Sequence, residues 1–329
     1  MKPLVTVVIP CLNEETYIRH CVESLLNNGY PKESLEILVA DGLSEDRTRE
    51  IVRDLEREHG NVRLLDNEVR ITPAAMNLGI QEGRGEYLMI AGAHSSYDQG
   101  YISACVDSME RIPADVVGGM MRTEVKNETK TSLAIRAVLS HPVGVGNSMF
   151  RIGIKEARKV DSVPFGLYKR KMLQDIGGFN LRLKRNQDME MSKRLAAHGA
   201  QIWLIPDVQA TYFARETWKS FYRNNFLNGL WNIRTIQVTG KFKSIGLRHV
   251  MPVLFLASLL LPLFAAVWIP QAAYLAGISL VAYLLTILYF SFRLGAQASP
   301  FHVLWTFMVL HFSYAFGLTK GLFTMYQKV

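Results

Sequence analysis

The chain has 329 residues, with 37 Lys and Arg against 29 Asp and Glu and a formal charge of +8. That length accommodates a large α/β domain plus something further. The three cysteines (Cys11, Cys21 and Cys105) have no metal-type spacing, which excludes a cysteine-based metal module and leaves them as reduced, small apolar residues.

The first element is the apolar run Val5-Thr6-Val7-Val8-Ile9, halted by Pro10 and opening into Cys11-Leu12-Asn13-Glu14-Glu15. It predicts a strand and a polar loop. Ile18, Cys21, Val22, Leu25 and Leu26 then recur at helical spacing. A second strand, Glu36-Ile37-Leu38-Val39-Ala40, carries Asp41 at its tip, and Ser44 is placed to cap a helix bearing Ile51, Val52 and Leu55. A third strand over 62–65 leads to Thr72-Pro73, a cap followed by proline at the first helical position, and a helix through Met76 and Asn77. A fourth strand over 87–90 ends at Ala91-Gly92-Ala93-His94. Beyond it the pattern predicts a helix near 98–110, a glycine-rich loop at Gly144-Val145-Gly146-Asn147, a strand over 164–168 and a helix over 188–198. Alternating strands and helices of this kind form an open α/β sheet.

Charge thins out after Arg248, leaving Arg293, Lys320 and Lys328 in the last eighty or so residues. A hydrocarbon core about 30 Å thick needs about 20 apolar residues per helix. Segments 250–268, 270–292 and 301–323 qualify, with Pro270, Gly295 and Pro300 at the joints. Before them, Trp218, Phe221, Tyr222, Asn225, Phe226, Gly229 and Leu230 share one helical face while Lys219, Arg223 and Arg234 lie off it. That is the pattern of an interfacial helix, the alternative being a helix packed on the catalytic core. Met1-Lys2-Pro3 leads straight into a strand too short for an apolar signal core, so the N-terminal domain is expected in the cytoplasm. Arg248 and its basic neighbours precede the first span and Arg293 lies in the second turn, which agrees with that orientation. Three spans would then place the C-terminus outside, against which Lys320 and Lys328 argue weakly. With such a tail, the net positive charge is expected to serve anionic phospholipid and a phosphorylated substrate, not nucleic acid.

Open α/β sheets bind ligands beyond the carboxyl ends of their parallel strands. Two adjacent strands ending in Asn13/Glu14 and in Asp41 outline a pocket rich in acceptors for the N–H groups of a base and the hydroxyls of a sugar. In Asn186-Gln187-Asp188-Met189-Glu190, Asp188 stands where a helix begins, close to free N–H groups and the positive end of the dipole. A carboxylate so placed is able to act as a general base, or to serve as a plain capping aspartate, or both. Glu190 is its local rival and Asp161 a distant one.

These stretches together resemble the family 2 glycosyltransferases of GT-A fold, in particular an ExoA-like bacterial membrane-associated group that makes succinoglycan-type exopolysaccharides. The motifs that carry the resemblance are VVIPCLNE, ADGLSEDRT, TPAAMNLGI, GEYLMIAGAH, GVGNSMFR, FGLYKRKMLQDIGGF and RNQDMEMSKRL. The resemblance implies a cytoplasmic GT-A catalytic domain with a Rossmann-like mixed sheet over 1–215, amphipathic interfacial helices over 216–248 and about three transmembrane helices over 249–329. It implies that Pro10, Asn13, Glu14, Asp41, Asn77, Gly92 and Ala93 bind the nucleotide sugar, with Asp41 accepting from a uracil ring. Gly166, Asn186, Gln187 and Trp231 would bind the acceptor, and Asp188 would be the catalytic base.

Gly92 and His94 stand where the family has the two carboxylates of its metal-binding motif. Three outcomes remain open there: His94 completes the shell of a divalent metal with phosphate oxygens and water, Arg or Lys replaces the metal, or activity is lost. Imidazole favours Mn²⁺ over Mg²⁺, and Gly92→Asp would restore a hard oxygen ligand. The Gln-x-x-Arg-Trp motif of processive relatives is absent, Asn225-Phe226-Leu227-Asn228-Gly229 being the nearest text. The resemblance therefore implies an inverting, membrane-bound transferase. It would move one sugar from a nucleotide sugar, UDP-glucose or a similar UDP-hexose, to a polyprenyl-diphosphate-linked saccharide for cell-surface polysaccharide, alongside other polysaccharide-assembly proteins. Transfer to polyprenyl phosphate itself, or a non-catalytic nucleotide-binding partner of another transferase, are the alternatives.

Overall fold

The computed structural model describes residues 2–240 and 250–324. The basic residues around Arg248, and Lys328, lie outside the described residues. In chain order the elements begin β1 (Val5–Cys11), α1 (Ile18–Leu26), β2 (Leu35–Asp41), α2 (Thr48–Glu58), β3 (Val62–Asp66), α3 (Thr72–Glu82), β4 (Tyr87–Ile90) and β5 (Ser95–Tyr97). There follow α4 (Tyr101–Arg111), β6 (Val116–Glu124), α5 (Lys130–Leu139), α6 (Pro142–Val145), α7 (Met149–Ile152), β7 (Arg158–Lys159) and β8 (Leu167–Lys169). The remainder are α8 (Arg170–Asp175), α9 (Gln187–Ala197), β9 (Ile202–Phe213), α10 (Trp218–Thr239), α11 (Met251–Ala265), α12 (Ala272–Arg293) and α13 (Pro300–Phe323). They fall into two compact units, Met1–Arg122 with Gly153–Phe213, and Thr123–Ile152 with Ala214–Val329.

The first unit is built on a mixed sheet in the order β3-β2-β1-β4-β8-β6-β9-β5, with β7 on β9. β3, β2, β1 and β4 run parallel, and β8 enters antiparallel to β4. Val5, Val7, Val8 and Ile9 of β1 and Ile37, Leu38 and Val39 of β2 are wholly buried, as expected of parallel strands covered on both faces. The α1 face anticipated from spacing (Ile18, Cys21, Val22, Leu25 and Leu26) is the buried one. The register pairs Cys11 with Asp41 and Asp41 with Asp66, so three strand tips end level at one edge. Pro10 lies beyond Val8↔Ile90, the last pair that β1 makes with β4, so its missing N–H breaks no rung there.

Several expected boundaries move. Ser44 does not cap α2, which starts at Thr48 after Arg47; its hydroxyl is used by Asp41 instead. Thr72 is already helical, after Ile71 at the cap position. The helix near 98–110 begins at Tyr101, and the strand over 164–168 is displaced to Leu167–Lys169. The GVGN stretch is in part the short α6, with Gly146 at φ 62°. β6 and β9 were not anticipated, because Gly118-Gly119 interrupts one and Pro206 with Asp207 interrupts the other.

The second unit is helical. It includes Thr123–Ile152, a segment expected within the catalytic domain, because α5 packs on α13. His311 of α13 makes a 3.0 Å hydrogen bond to the Val143 carbonyl and one of 3.1 Å with the Tyr283 hydroxyl. α10 lies along α13, and glycines bring the two backbones together. A Cβ on Gly229 would overlap the Tyr314 carbonyl, one on Gly317 the Phe226 carbonyl, and one on Gly321 would come within 2.7 Å of the Ile233 Cβ. The aromatic face foreseen as interfacial is thus divided: Phe221, Asn225, Gly229 and Leu230 are buried, while Tyr222, with Lys219 and Arg223, remains exposed.

Of the three expected spans, α12 and α13 are long and apolar enough to cross a membrane. They measure about 33 and 36 Å at 1.5 Å per residue. α11 has 15 residues, about 22 Å, and turns at 266–268, short of a full crossing.

Candidate active site

At the level tips of β1 and β2 two loops are laced together. Asn13 and Leu43 both adopt positive φ, 56° and 58°, which turns the chain sharply after each strand. The Asn13 N–H donates to the Ser44 hydroxyl at 2.8 Å, and the Asn13 side-chain oxygen accepts from the Glu45 N–H at 2.9 Å. The Glu14 N–H donates to Thr48 Oγ1 at 2.7 Å. The Glu15 N–H donates to Asp46 at 3.1 Å, and the Arg47 N–H to the Glu15 carboxylate at 3.0 Å. Asn13 therefore holds the loop with its own side chain, and what it offers a ligand is the shape it imposes.

Asp41 is fully buried and its four lone pairs are committed. Oδ1 accepts from the Ser44 hydroxyl and from Cys11 Sγ at 3.5 Å; Oδ2 accepts from the Ser44 N–H at 2.9 Å and from Arg49 Nη1 at 2.8 Å. Burial disfavours the charged form, but the hydrogen bonds from Ser44 and Arg49 outweigh it and hold the carboxyl below its ordinary pKa. The expected direct contact with a base N–H finds no free lone pair here. Asp41 instead orients Ser44 and Arg49, and Arg49 reaches on to Asp66 at 2.7 Å.

The end of β4 shows why position 92 is glycine. A Cβ on Gly92 would stand 2.9 Å from Cε1 of Phe165 and 3.1 Å from Oγ of Ser95. Gly92 is not among the positive-φ residues, so space and not backbone freedom excludes a side chain. Phe165 holds φ 47°, packs edge-on to Tyr97 at 5.6 Å, and its carbonyl accepts from the Tyr101 hydroxyl at 3.4 Å. It sits inside the FGLYKRK motif, yet nothing in that text marks it as the residue that fills the place of a carboxylate. Ala93 is 5% exposed and part of the core, so only its backbone is able to meet a ligand.

His94 is partly accessible. Its Nε2 lies 2.8 Å from Oε1 of Glu14, with side-chain exposures of 24% and 15%, and its ring centroid is 4.3 Å from that of Tyr17. Glu14, expected beneath the nucleotide, is therefore turned toward His94. Among the described residues no group of three His, Cys, Asp or Glu side chains is placed to hold a metal ion. The donors present are a nitrogen and a carboxylate oxygen, a set that Mn²⁺ accepts when phosphate oxygens and water complete the shell.

Asn186 has φ 59° and presents Gln187 and Asp188 as the first residues of α9. Asp188 is exposed, with Oδ1 accepting from the Met189 N–H at 2.8 Å. The protein around it raises its pKa by desolvation. Burial raises the Tyr168 phenol, and the negative charge of Asp188 adds to that rise. The rivals are otherwise engaged. Glu190 is 6% exposed and bonded twice to Arg194, at 2.7 and 3.0 Å. Asp161 faces Lys193 at 3.9 Å. Gln187 Oε1 is buried without a hydrogen-bond partner among the described residues.

Three further expected residues serve the fold. The Asn77 amide clamps the Phe179 backbone, donating to its carbonyl at 2.9 Å and accepting from its N–H at 2.7 Å. Gly166 is buried, and its carbonyl accepts from the Ile90 N–H at 3.2 Å. Trp231 belongs to the helical unit and is 6% exposed, with the Arg234 guanidinium 5.1 Å over its ring, so its ring offers almost no surface to an acceptor.

Comparison with known proteins bears on this geometry. A Methanococcus voltae protein, dolichyl N-acetyl-alpha-D-glucosaminyl phosphate 3-beta-D-2,3-diacetamido-2,3-dideoxy-beta-D-glucuronosyltransferase, is 29% identical over 233 residues, covering 68% of this chain and 71% of that one. Succinoglycan biosynthesis protein ExoA of Rhizobium meliloti is 31% identical over 211 residues, covering 64% of this chain and 63% of ExoA. A mannosyltransferase from Pyrobaculum calidifontis, solved with GDP-Man and Mn²⁺, shares the fold with a TM-score of 0.61 at 18% identity, over 98% of this chain and 88% of its own. The profile named Glycosyl transferase family 2 matches residues 6–177, more than half of the chain. The chain belongs to glycosyltransferase family 2 and has its GT-A-like fold.

Proposed function

We propose that this glycosyltransferase moves a single sugar from a UDP-linked donor to a lipid-linked saccharide, with inversion, on the cytoplasmic face of the plasma membrane in which its helical unit is inserted. The observation that carries the reading is Asp188. Of the three carboxylates near α9 it alone is both exposed and without an ion-pair partner among the described residues. In the reaction the acceptor hydroxyl oxygen attacks the anomeric carbon and its proton passes to the Asp188 carboxylate. The bond from that carbon to the nucleoside diphosphate breaks, and the diphosphate leaves with the electron pair. A base so placed contributes about 10²–10⁴-fold. A divalent metal, when bound, would neutralise charge on the departing diphosphate, and His94 would be a protein ligand, which favours Mn²⁺ over Mg²⁺. The Mn²⁺ of the Pyrobaculum enzyme supports this. The Methanococcus relative is named for a sugar already attached to dolichyl phosphate, which favours a lipid-linked saccharide over bare polyprenyl phosphate as acceptor.

The test is nucleotide release by the detergent-solubilised chain, with UDP-hexoses as donors and either a polyprenyl-linked saccharide or polyprenyl phosphate as acceptor. Asp188→Asn keeps the oxygen that receives the Met189 N–H, so the fold should survive. Turnover should fall at least a hundredfold while donor affinity stays within about twofold. Activity within tenfold of the unmodified protein would end the assignment.

A further inference from the structure

The end of β4 lacks a carboxylate, and the chain places one opposite it from another loop. We propose that Glu14 supplies the carboxylate oxygen of a divalent-cation site, paired with the imidazole Nε2 of His94, in place of a side chain at position 92. The proposal rests on the reading of this edge as the nucleotide-sugar site, and the ligand is a divalent cation together with the diphosphate it accompanies.

The geometry has the right dimension. Two ligands about 2.1 Å from one cation and at right angles to each other stand about 3.0 Å apart, and Glu14 Oε1 and His94 Nε2 are 2.8 Å apart. A separation increase of about 0.2 Å would admit the ion. Both groups are held from behind. The Glu14 N–H is bonded to Thr48, and its carbonyl accepts the Tyr17 and Ile18 N–H groups at 2.9 Å, which start α1. The His94 carbonyl accepts from the Phe213 N–H at 3.0 Å while its ring rests against Tyr17. Ligands held by their surroundings lose less freedom on binding. Glu14 has no ion-pair partner among the described residues other than His94, so no Lys or Arg competes with a cation for it. Both side chains keep some exposure, which leaves room for phosphate oxygens and water. Phe165 meanwhile denies position 92 any ligand. The nitrogen donor predicts Mn²⁺ ahead of Mg²⁺.

The test uses the solubilised full chain and Mn²⁺ itself, with UDP and separately with GDP present, and follows bound and free Mn²⁺ by electron paramagnetic resonance. Glu14→Gln, which still accepts a hydrogen bond from His94, should weaken Mn²⁺ binding at least tenfold with the melting temperature within a few degrees. Glu14→Asp keeps a carboxylate and should retain measurable affinity. His94→Ala should weaken binding similarly and abolish the imidazole ¹⁴N modulation in the electron spin echo, which Glu14→Gln should preserve at saturating Mn²⁺. If Glu14→Gln binds Mn²⁺ within twofold of the unmodified protein, Glu14 is not a ligand and the pair is a hydrogen bond only, with the transfer reading intact. If the unmodified protein binds no Mn²⁺ with either nucleotide, the site is overturned. UDP release in EDTA then shows whether sugar transfer proceeds without a metal.

Discussion

Replacing Gly92 by Asp separates a reading of the motif from a reading of the packing. By motif, the change restores a missing carboxylate and should raise activity with Mg²⁺. By structure, the new Cβ stands 2.9 Å from Phe165 Cε1, where ordinary carbon contacts begin at about 3.5 Å, so the ring must retreat by about 0.6 Å. It has little room to do so, with Tyr97 edge-on to it, its carbonyl bonded to Tyr101 and its backbone at φ 47°. Overpacking of this kind costs about 1–3 kcal/mol. At about 2 kcal/mol and 2–4 °C per kcal/mol for a unit of this size, Gly92→Asp should lower the melting temperature by about 4–8 °C. It should also fail to raise Mg²⁺-dependent turnover. The thermal transition of solubilised protein, measured for both single variants and for Gly92→Asp with Phe165→Ala, isolates the contact. The cost of Gly92→Asp should shrink by at least about 1 kcal/mol once the ring is gone. A Gly92→Asp protein as stable as the parent, or equally impaired with and without Phe165, would refute the steric account.

Gly317→Leu should part α10 from α13 and cost about 1–3 kcal/mol. Gly277→Leu, where among the described residues nothing beyond its chain neighbours and its own helix backbone lies within 4 Å of the new Cβ, should leave the melting temperature within about a degree, and equal effects would dismiss the close crossing. Asp41 and the buried Glu36, which accepts from Thr6 at 2.8 Å and from the Arg84 N–H and Nε at 2.9 Å each, both have lowered pKa values. The stability they contribute is complete above their ordinary values of about 4 and is lost as pH falls through the lower folded-state values. Thermal unfolding should therefore hold steady down to about pH 4.5 and decline below about pH 4, less so in Glu36→Gln. A decline already complete at pH 6 would contradict this. Because Asp188 must be ionised to accept a proton and its pKa is raised above 3.8, the acid limb of the turnover profile should lie above that value. A limb at or below it would assign the titration to another group.

Local sequence determined much of this protein. Strands β1 and β2 are mostly apolar runs buried on both faces, α1 buries the five residues its spacing selects, and α12 and α13 follow from length and apolarity alone. Each of these rests on interactions within one element or on burial that any α/β sheet or bilayer provides. The placing of Asp188 at the start of α9 was legible for the same reason, since a helix start is written in neighbouring residues. What only the tertiary structure decided involves residues distant in the chain. Phe165 fills the space beside Gly92, and Glu14 turns to His94. Asp41 is saturated by Cys11, 30 positions away, together with its neighbours Ser44 and Arg49. Asn77 is spent on Phe179, 102 positions away. α10 closes on α13 through glycines whose value exists only once a second backbone is present. A carboxylate or amide in a motif is a free ligand in sequence, but burial obliges it to find a partner, and which partner it finds depends on what the fold brings within 3 Å.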